Sequence, residues 1–135
     1  VISDIFKKNE SIQEVFYKII PDDIDTISSY LIELSDNHIA DIIITTGGTG
    51  LGPRDLTIET LDQKFDYKIP GIEQSLHAYG RSKVKTAMLS RLTAGVINGA
   101  IVICLPGSPN AVQDALKVLI PTVFHAFHMM KGDKH

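Results

Sequence analysis

Ile42, Ile43 and Ile44 form an apolar run without alternation, the pattern of a strand covered on both faces in the middle of a parallel sheet. The run passes at once into Gly47, Gly48, Gly50 and Gly52. A loop able to bring backbone N–H groups close to a ligand therefore leaves the strand at its carboxyl end. Upstream, residues 15–20 (Val-Phe-Tyr-Lys-Ile-Ile) have the composition of another strand, closed by Pro21. Val1-Ile2-Ser3-Asp4 reads as the end of a strand and the loop after it, and residues 7–11 read as loop. Ile24, Ile27, Leu31 and Leu34 recur at helical spacing behind Asp22 and Asp23, so one of these aspartates caps a helix. Thr57 is placed to cap a short helix through Lys64, with Glu59 in its first turn.

After the punctuation of Pro70-Gly71, residues 72–79 predict a helix with Ile72, Leu76 and Tyr79 inward. Residues 94–97 and 100–105 flank Asn98-Gly99, a strong hairpin signal. The second of these strands runs into Leu105-Pro106-Gly107-Ser108-Pro109-Asn110, where Ser108 or Asn110 caps a helix with Ala111, Ala115, Leu116, Leu119 and Ile120 on its apolar face. Pro121 should kink or restart that helix, which continues through Phe127 and Met130 to a polar tail at residues 132–135. The elements predict an α/β fold in which parallel strands lie beside an antiparallel hairpin.

Composition narrows the function classes. The 135 residues suit one domain, and 44% hydrophobic with 21% charged residues is the balance of a soluble globular protein. The chain has no apolar run of membrane-spanning length and no signal-peptide pattern at Val1, which makes a cytoplasmic location the default expectation and a membrane partner unexpected. A net charge of -3 without a basic stripe argues against nucleic acid as a partner. The single cysteine, Cys104, sits within an apolar strand pattern and reads as a packed small hydrophobe, so a disulfide and a cysteine zinc site are excluded. His77 reads as surface, and His125 and His128 as packing residues rather than metal ligands. Arg81, Lys83, Lys85 and Arg91 are either a local cation cluster beside an anionic ligand or a solvated run.

The candidate chemistry is concentrated in the glycine loop. Thr45, Thr46, Thr49 and Thr57 supply hydroxyls, Arg54 a cation and Asp55 a carboxylate. That set suits an anionic ligand, a phosphate with a divalent metal. The lysine of G-x-x-x-x-G-K-[ST] is missing, and Pro53 stands where the last glycine of G-x-G-x-x-G would follow Gly48 and Gly50. Of Asp22 and Asp23, one caps the helix and the other is left to point elsewhere. The N–H groups around Ser108 form a second anion site.

Taken together, Thr46-Gly47-Gly48-Thr49-Gly50 with Arg54-Asp55-Leu56-Thr57, then Met88-Leu89-Ser90-Arg91, then Leu105-Pro106-Gly107-Ser108-Pro109-Asn110-Ala111 resemble the MoaB/MogA family of molybdopterin-binding proteins, relatives of the amino-terminal domain of gephyrin. The resemblance implies a three-layer α/β sandwich with a mostly parallel central sheet, assembled as a homotrimer or a dimer of trimers. It also implies adenylylation of molybdopterin by ATP with Mg2+, the product passing to a downstream metal-insertion enzyme. By the same matching, Asp22 and Asp55 fall on the aspartates that active members need, here as magnesium ligands, direct or through water. Substrate contacts implied by the resemblance are Ser3, Asp4, Thr46, Gly47, Gly48, Thr49, Gly50, Arg54, Thr57, Ser90, Arg91, Pro106, Gly107, Ser108, Pro109 and Asn110. Residues 1–135 are expected to form one molybdopterin-binding domain, which departs from the family between Asp4 and Val15: the first strand is truncated and the loop near residues 5–10 incomplete. Two alternatives share these loops: a molybdopterin-binding protein without catalysis, and a trimeric module of a larger biosynthetic fusion.

Overall fold

Asn98 and Gly99 take φ angles of 47° and 81°, the left-handed pair that joins two strands with the right twist. They connect β3 (Thr93–Ile97) to β4 (Ala100–Leu105) in an antiparallel register that sets Ile97 opposite Ala100. On the other side of β4 lies β1 (Ile42–Thr46), in parallel, and a two-residue strand β2 (Tyr67–Lys68) completes the sheet in the order β1-β4-β3-β2. The computed structural model describes residues 2–8 and 12–132. Val1, residues 9–11 and residues 133–135, where the sequence suggested a strand end, a loop and a tail, lie outside the described residues.

β4 is the hub. Every one of its residues is buried, and the period of two along the strand divides them between the faces. Ile101, Ile103 and Leu105 meet α4 (Pro70–Lys83) and α5 (Pro109–Met130) through Leu76, Leu116 and Leu119. Ala100, Val102 and Cys104 meet α2 (Ile24–Asp36) and α3 (Thr57–Lys64) through Ile27, Leu31 and Leu61. Helices thus cover both faces of the sheet, the three-layer α/β arrangement. Each fully buried aliphatic side chain in it contributes roughly 1.5–3 kcal/mol relative to exposure.

Four expectations are corrected. β1 is parallel, but it is an edge strand paired only with β4, so the sheet has one parallel and two antiparallel pairings. Residues 2–4 do not end a strand: Ile2–Phe6 is a short helix, α1, whose Ile2, Ile5 and Phe6 pack against the cluster that holds Ile42 and Ile44. Residues 15–20 form no strand, because they reach α2 and not the edge of β1. The ring of Phe16 lies 5.4 Å from that of Tyr30, and Lys18 Nζ lies 5.1 Å from the centre of the same ring. Finally, α5 runs unbroken through Pro121. Leu116, Leu119 and Val123 hold their buried stripe on both sides of the proline, and that packing overrides the lost helical hydrogen bond.

Glu73, in the first turn of α4, ties that helix to the sheet. Its carboxylate accepts from Thr93 Oγ1 at 2.7 Å and lies 2.9 Å from Lys68 Nζ. Burial opposes its ionisation, but the hydrogen bonds from Thr93, Lys68 and the Ala94 amide outweigh it and hold the carboxyl below its ordinary value. A carboxyl lowered on folding stabilises the fold above its unfolded pKa, and that contribution is lost as pH falls through the folded pKa. Glu73→Gln is therefore expected to cost about 1–2 kcal/mol near neutral pH. It should also flatten the loss of stability on acidification, read by urea denaturation from pH 7 down to pH 3; an unchanged acid limb would contradict the assignment.

Candidate functional site

Because β1 and β4 run in parallel with Thr46 opposite Leu105, the loops leaving their carboxyl ends emerge side by side. Gly47 N donates to Leu105 O at 2.9 Å, and Thr46 Oγ1 donates to Pro106 O at 3.0 Å. A Cβ on Gly107 would lie 3.5 Å from Gly47 Cα, so the two turns are in contact. Gly47 and Gly48 take φ angles of 97° and 68°, which a side chain would strain. Below them Cys104 is buried, and desolvation pushes its thiol up to about 12, which leaves it protonated and unreactive.

The paired aspartates divide their work. Asp23 caps α2, accepting from Thr26 N at 2.9 Å and Thr26 Oγ1 at 2.6 Å, and these bonds hold its carboxyl below the usual range. Asp22 is thereby left to reach across to the start of α3. Its Oδ1 accepts from Leu56 N at 3.3 Å and from Thr57 Oγ1 at 3.1 Å. Thr57 is accordingly not the cap of α3 that its position suggested. The N-cap position is Leu56, without a side-chain acceptor, and the distant carboxylate of Asp22 supplies one instead.

Asp55 Oδ2 accepts from Gly52 N at 3.0 Å. A Cβ on Gly50 or Gly52 would come within 2.7 or 2.9 Å of that oxygen, and one on Gly48 within 2.8 Å of Asp22 Oδ2. Both carboxylates therefore lie against the first glycine turn.

A strap from the far side fixes the same turn. Arg91 N donates to Thr49 O at 2.8 Å, and Ser90 Oγ donates to Thr49 Oγ1 at 3.1 Å. The Arg91 side chain donates from Nε to Gly50 O at 2.8 Å and from Nη2 to Asp55 O at 3.0 Å, while Nη1 pairs with Glu59. Hydrogen bonding to Arg91 holds the Glu59 carboxyl low. Arg91 is thus committed to building the turn. Arg54 is the exposed cation of the loop, with no ion pair among the described residues.

The second turn supplies Ser108, whose side chain caps α5 by accepting from Ala111 N at 3.2 Å, with Pro109 at the first helical position and Asn110 exposed after it. A cavity of about 250 Å³ opens beside the junction, with Ser3, Tyr17, Thr46 and Gly107 in its wall. Asp4 is exposed on α1. Arg81, Lys83 and Lys85 are exposed at and just beyond the end of α4, and among the described residues only Arg91 of the basic run bonds to the glycine turn. The Glu59–Arg91 pair was beyond sequence reasoning: no periodicity links residues 32 positions apart.

Chemically, the site offers turn amides, hydroxyls and two carboxylates, all hard oxygen donors or anion-binding N–H groups. Among the described residues no cluster of three or more His, Cys, Asp or Glu side chains is formed. One or two carboxylates completed by phosphate oxygens is the usual manner in which magnesium is held, and the donor set fits it.

A family described as a probable molybdopterin binding domain matches residues 2–125. The chain is 60% identical over 95 residues to the molybdenum cofactor biosynthesis bifunctional protein of Chlorobaculum tepidum, covering 70% of this chain but only 30% of that protein. It is 38% identical over 130 residues to the molybdopterin adenylyltransferase of Pyrococcus furiosus, covering 93% of this chain and 74% of the relative. The solved structure of the molybdopterin biosynthesis Mog protein from Mycobacterium ulcerans superposes with a TM-score of 0.90 at 32% identity, over 98% of this chain and 85% of that one.

Two substitutions probe the turn. Gly48→Ala would overlap the Thr57 hydroxyl and crowd Asp22 at a positive φ, so a loss of about 2 kcal/mol is expected in thermal or urea unfolding. Arg91→Lys keeps the charge but loses the forked donor geometry. It should lower the unfolding midpoint and open the loop at residues 49–55 to limited proteolysis; a protease-resistant loop would remove Arg91 from this role.

Proposed function

The chain belongs to the molybdopterin-binding domain family of MoaB and MogA, and from that membership we propose that it adenylylates molybdopterin with ATP in molybdenum cofactor biosynthesis. The observation that carries the reading is the meeting of two turns at the carboxyl ends of parallel strands, with Asp22 and Asp55 against the first of them. Relatives named molybdopterin adenylyltransferase, 32% and 38% identical over most of the chain, support it.

In this reading the attacking group is the phosphate of molybdopterin, already anionic at neutral pH, so no side chain need act as a base. One of its oxygens bonds to the α-phosphorus of ATP, the bond from that phosphorus to the bridging oxygen breaks, and pyrophosphate leaves with the electron pair. The protein's task is to hold two polyanions together. The amides of Gly48, Thr49 and Gly50 bind one set of phosphate oxygens beside the Gly47 backbone, and those of Ser108 and Asn110 another, with Pro109 between them. The hydroxyls of Thr46, Thr49, Thr57 and Ser90 orient the substrates, while Ser3, Asp4, Pro106 and Gly107 shape the approach. Arg54, without an ion pair among the described residues, is the cation for charge developing on the leaving group. Asp22 and Asp55 would hold magnesium, directly or through water, and a bound ion would neutralise polyphosphate charge.

The chain is further proposed to assemble as a homotrimer or a dimer of trimers, to act in the cytoplasm, and to deliver adenylylated molybdopterin to a metal-insertion enzyme. Val84, Met88 and Leu89 are exposed together around a 3-10 turn (Lys85–Leu89), an apolar surface that self-association would cover. Residues 1–135 are read as a single domain. The bifunctional relative, of which this chain spans 30%, favours a second reading in which the domain is one module of a longer fusion.

The test is release of pyrophosphate from ATP and magnesium with and without molybdopterin. Release that depends strictly on molybdopterin is expected. Asp55→Asn, which keeps shape and removes charge, should reduce it about 100-fold or more, the scale of losing one electrostatic contact in a transition state, while molybdopterin still binds. Binding without any release would establish the non-catalytic alternative.

A further inference from the structure

The cavity beside the two turns has a wall that the proposed chemistry does not use. Tyr17 is 71% exposed, although both of its sequence neighbours are anchored: Phe16 packs on Tyr30 of α2, and Lys18 sits over the same ring. With residues 16 and 18 turned to α2, Tyr17 lines the cavity together with Thr46 and Gly107. The Glu14 side chain before it is tied to α1, accepting from Ser3 Oγ, and Ile2 and Val112 add apolar wall. An aromatic face held by its neighbours, a partly apolar chamber of about 250 Å³, and Thr46, Gly107 and Pro109 at the edge of the two turns describe a seat for a flat ring whose phosphate reaches the turns.

We infer that the cavity under Tyr17 seats the planar nitrogen heterocycle of one substrate, and that Tyr17 is the specificity residue that stacks on it. This rests on the adenylyltransferase reading, which supplies two rings of that kind, adenine and pterin. Stacking needs a face and no particular hydrogen-bond pattern, so the geometry names the class, and measurement distinguishes the two sources. The phenol hydroxyl is not required. Since Tyr17 is exposed, its truncation leaves the core intact.

Full-length wild type, Tyr17→Ala and Tyr17→Phe are compared in two measurements. The first is turnover with separate KM values for ATP and molybdopterin. The second is direct binding of AMP and of pterin alone by calorimetry. Tyr17→Ala should raise one KM about tenfold or more, the fold-change of one lost stacking contact, with kcat within about twofold, as for binding shared by ground and transition states. Tyr17→Phe should behave as wild type. A shift confined to ATP and AMP assigns the seat to adenine, and one confined to molybdopterin and pterin assigns it to the pterin. Wild-type turnover with neither KM altered in Tyr17→Ala overturns the ring seat and leaves the proposed activity standing. Without turnover in the wild type, that activity falls; loss of AMP or pterin binding in Tyr17→Ala then still supports the seat, and equal binding, or none in wild type, overturns it.

Discussion

The parallel register of β1 on β4 is the constraint from which the rest follows. β4 is bonded on both sides and buried on both faces, so its carboxyl end is fixed by the core. β1 pairs with β4 alone, and the register of Thr46 on Leu105 brings Gly47 against Gly107. A slip of one residue would turn Ile43 away from the face it shares with Leu31 and Leu61 and part the turns. The core thus sets the separation of two loops that are 60 residues apart in sequence, as the bond from Thr46 to Pro106 records.

The glycine turn is held by charge used for shape. Arg91 and Glu59 form an ion pair that is partly exposed on both sides, and such pairs contribute little net energy. What matters is the placement of the remaining donors on the carbonyls of Gly50 and Asp55, which fixes the two ends of the loop relative to each other. Asp22 acts likewise from the opposite side, holding Leu56 and Thr57. An arginine committed to these carbonyls has fewer donors left over, and in the proposed reaction the cationic role falls to Arg54.

Signals confined to a few residues were legible in the sequence. Asn98-Gly99 gave the hairpin, Ser108 the cap of α5, and the doubled aspartate at 22 and 23 announced that one side chain would be spare. The family was legible because three short loops carry it. What was not legible depends on who the neighbour is. Ile42 to Ile44 read as a mid-sheet strand because β-branched residues state a preference for burial without stating what covers them; here α1 and α5 stand beside an edge. Residues 15–20 have strand composition but no ladder partner, and two aromatic contacts with Tyr30 decide their place. Thr57 was misread as a cap because a better acceptor arrives from 35 residues away.

The glycines have two explanations, and the structure weighs them. A glycine-rich loop suggests room for a ligand, but at Gly48, Gly50 and Gly52 the space a Cβ would fill is already taken by Thr57, Asp22 and Asp55. At those positions the missing side chain serves the protein's own carboxylates, letting them lie against the backbone of the turn. Gly47, by contrast, has open space where its Cβ would be and a φ of 97°, so its requirement is conformational. The loop is therefore shaped before any ligand arrives, with its acidic groups already drawn in. Binding in the proposed reaction then need not include the cost of ordering that turn, because the protein completes its scaffold from within.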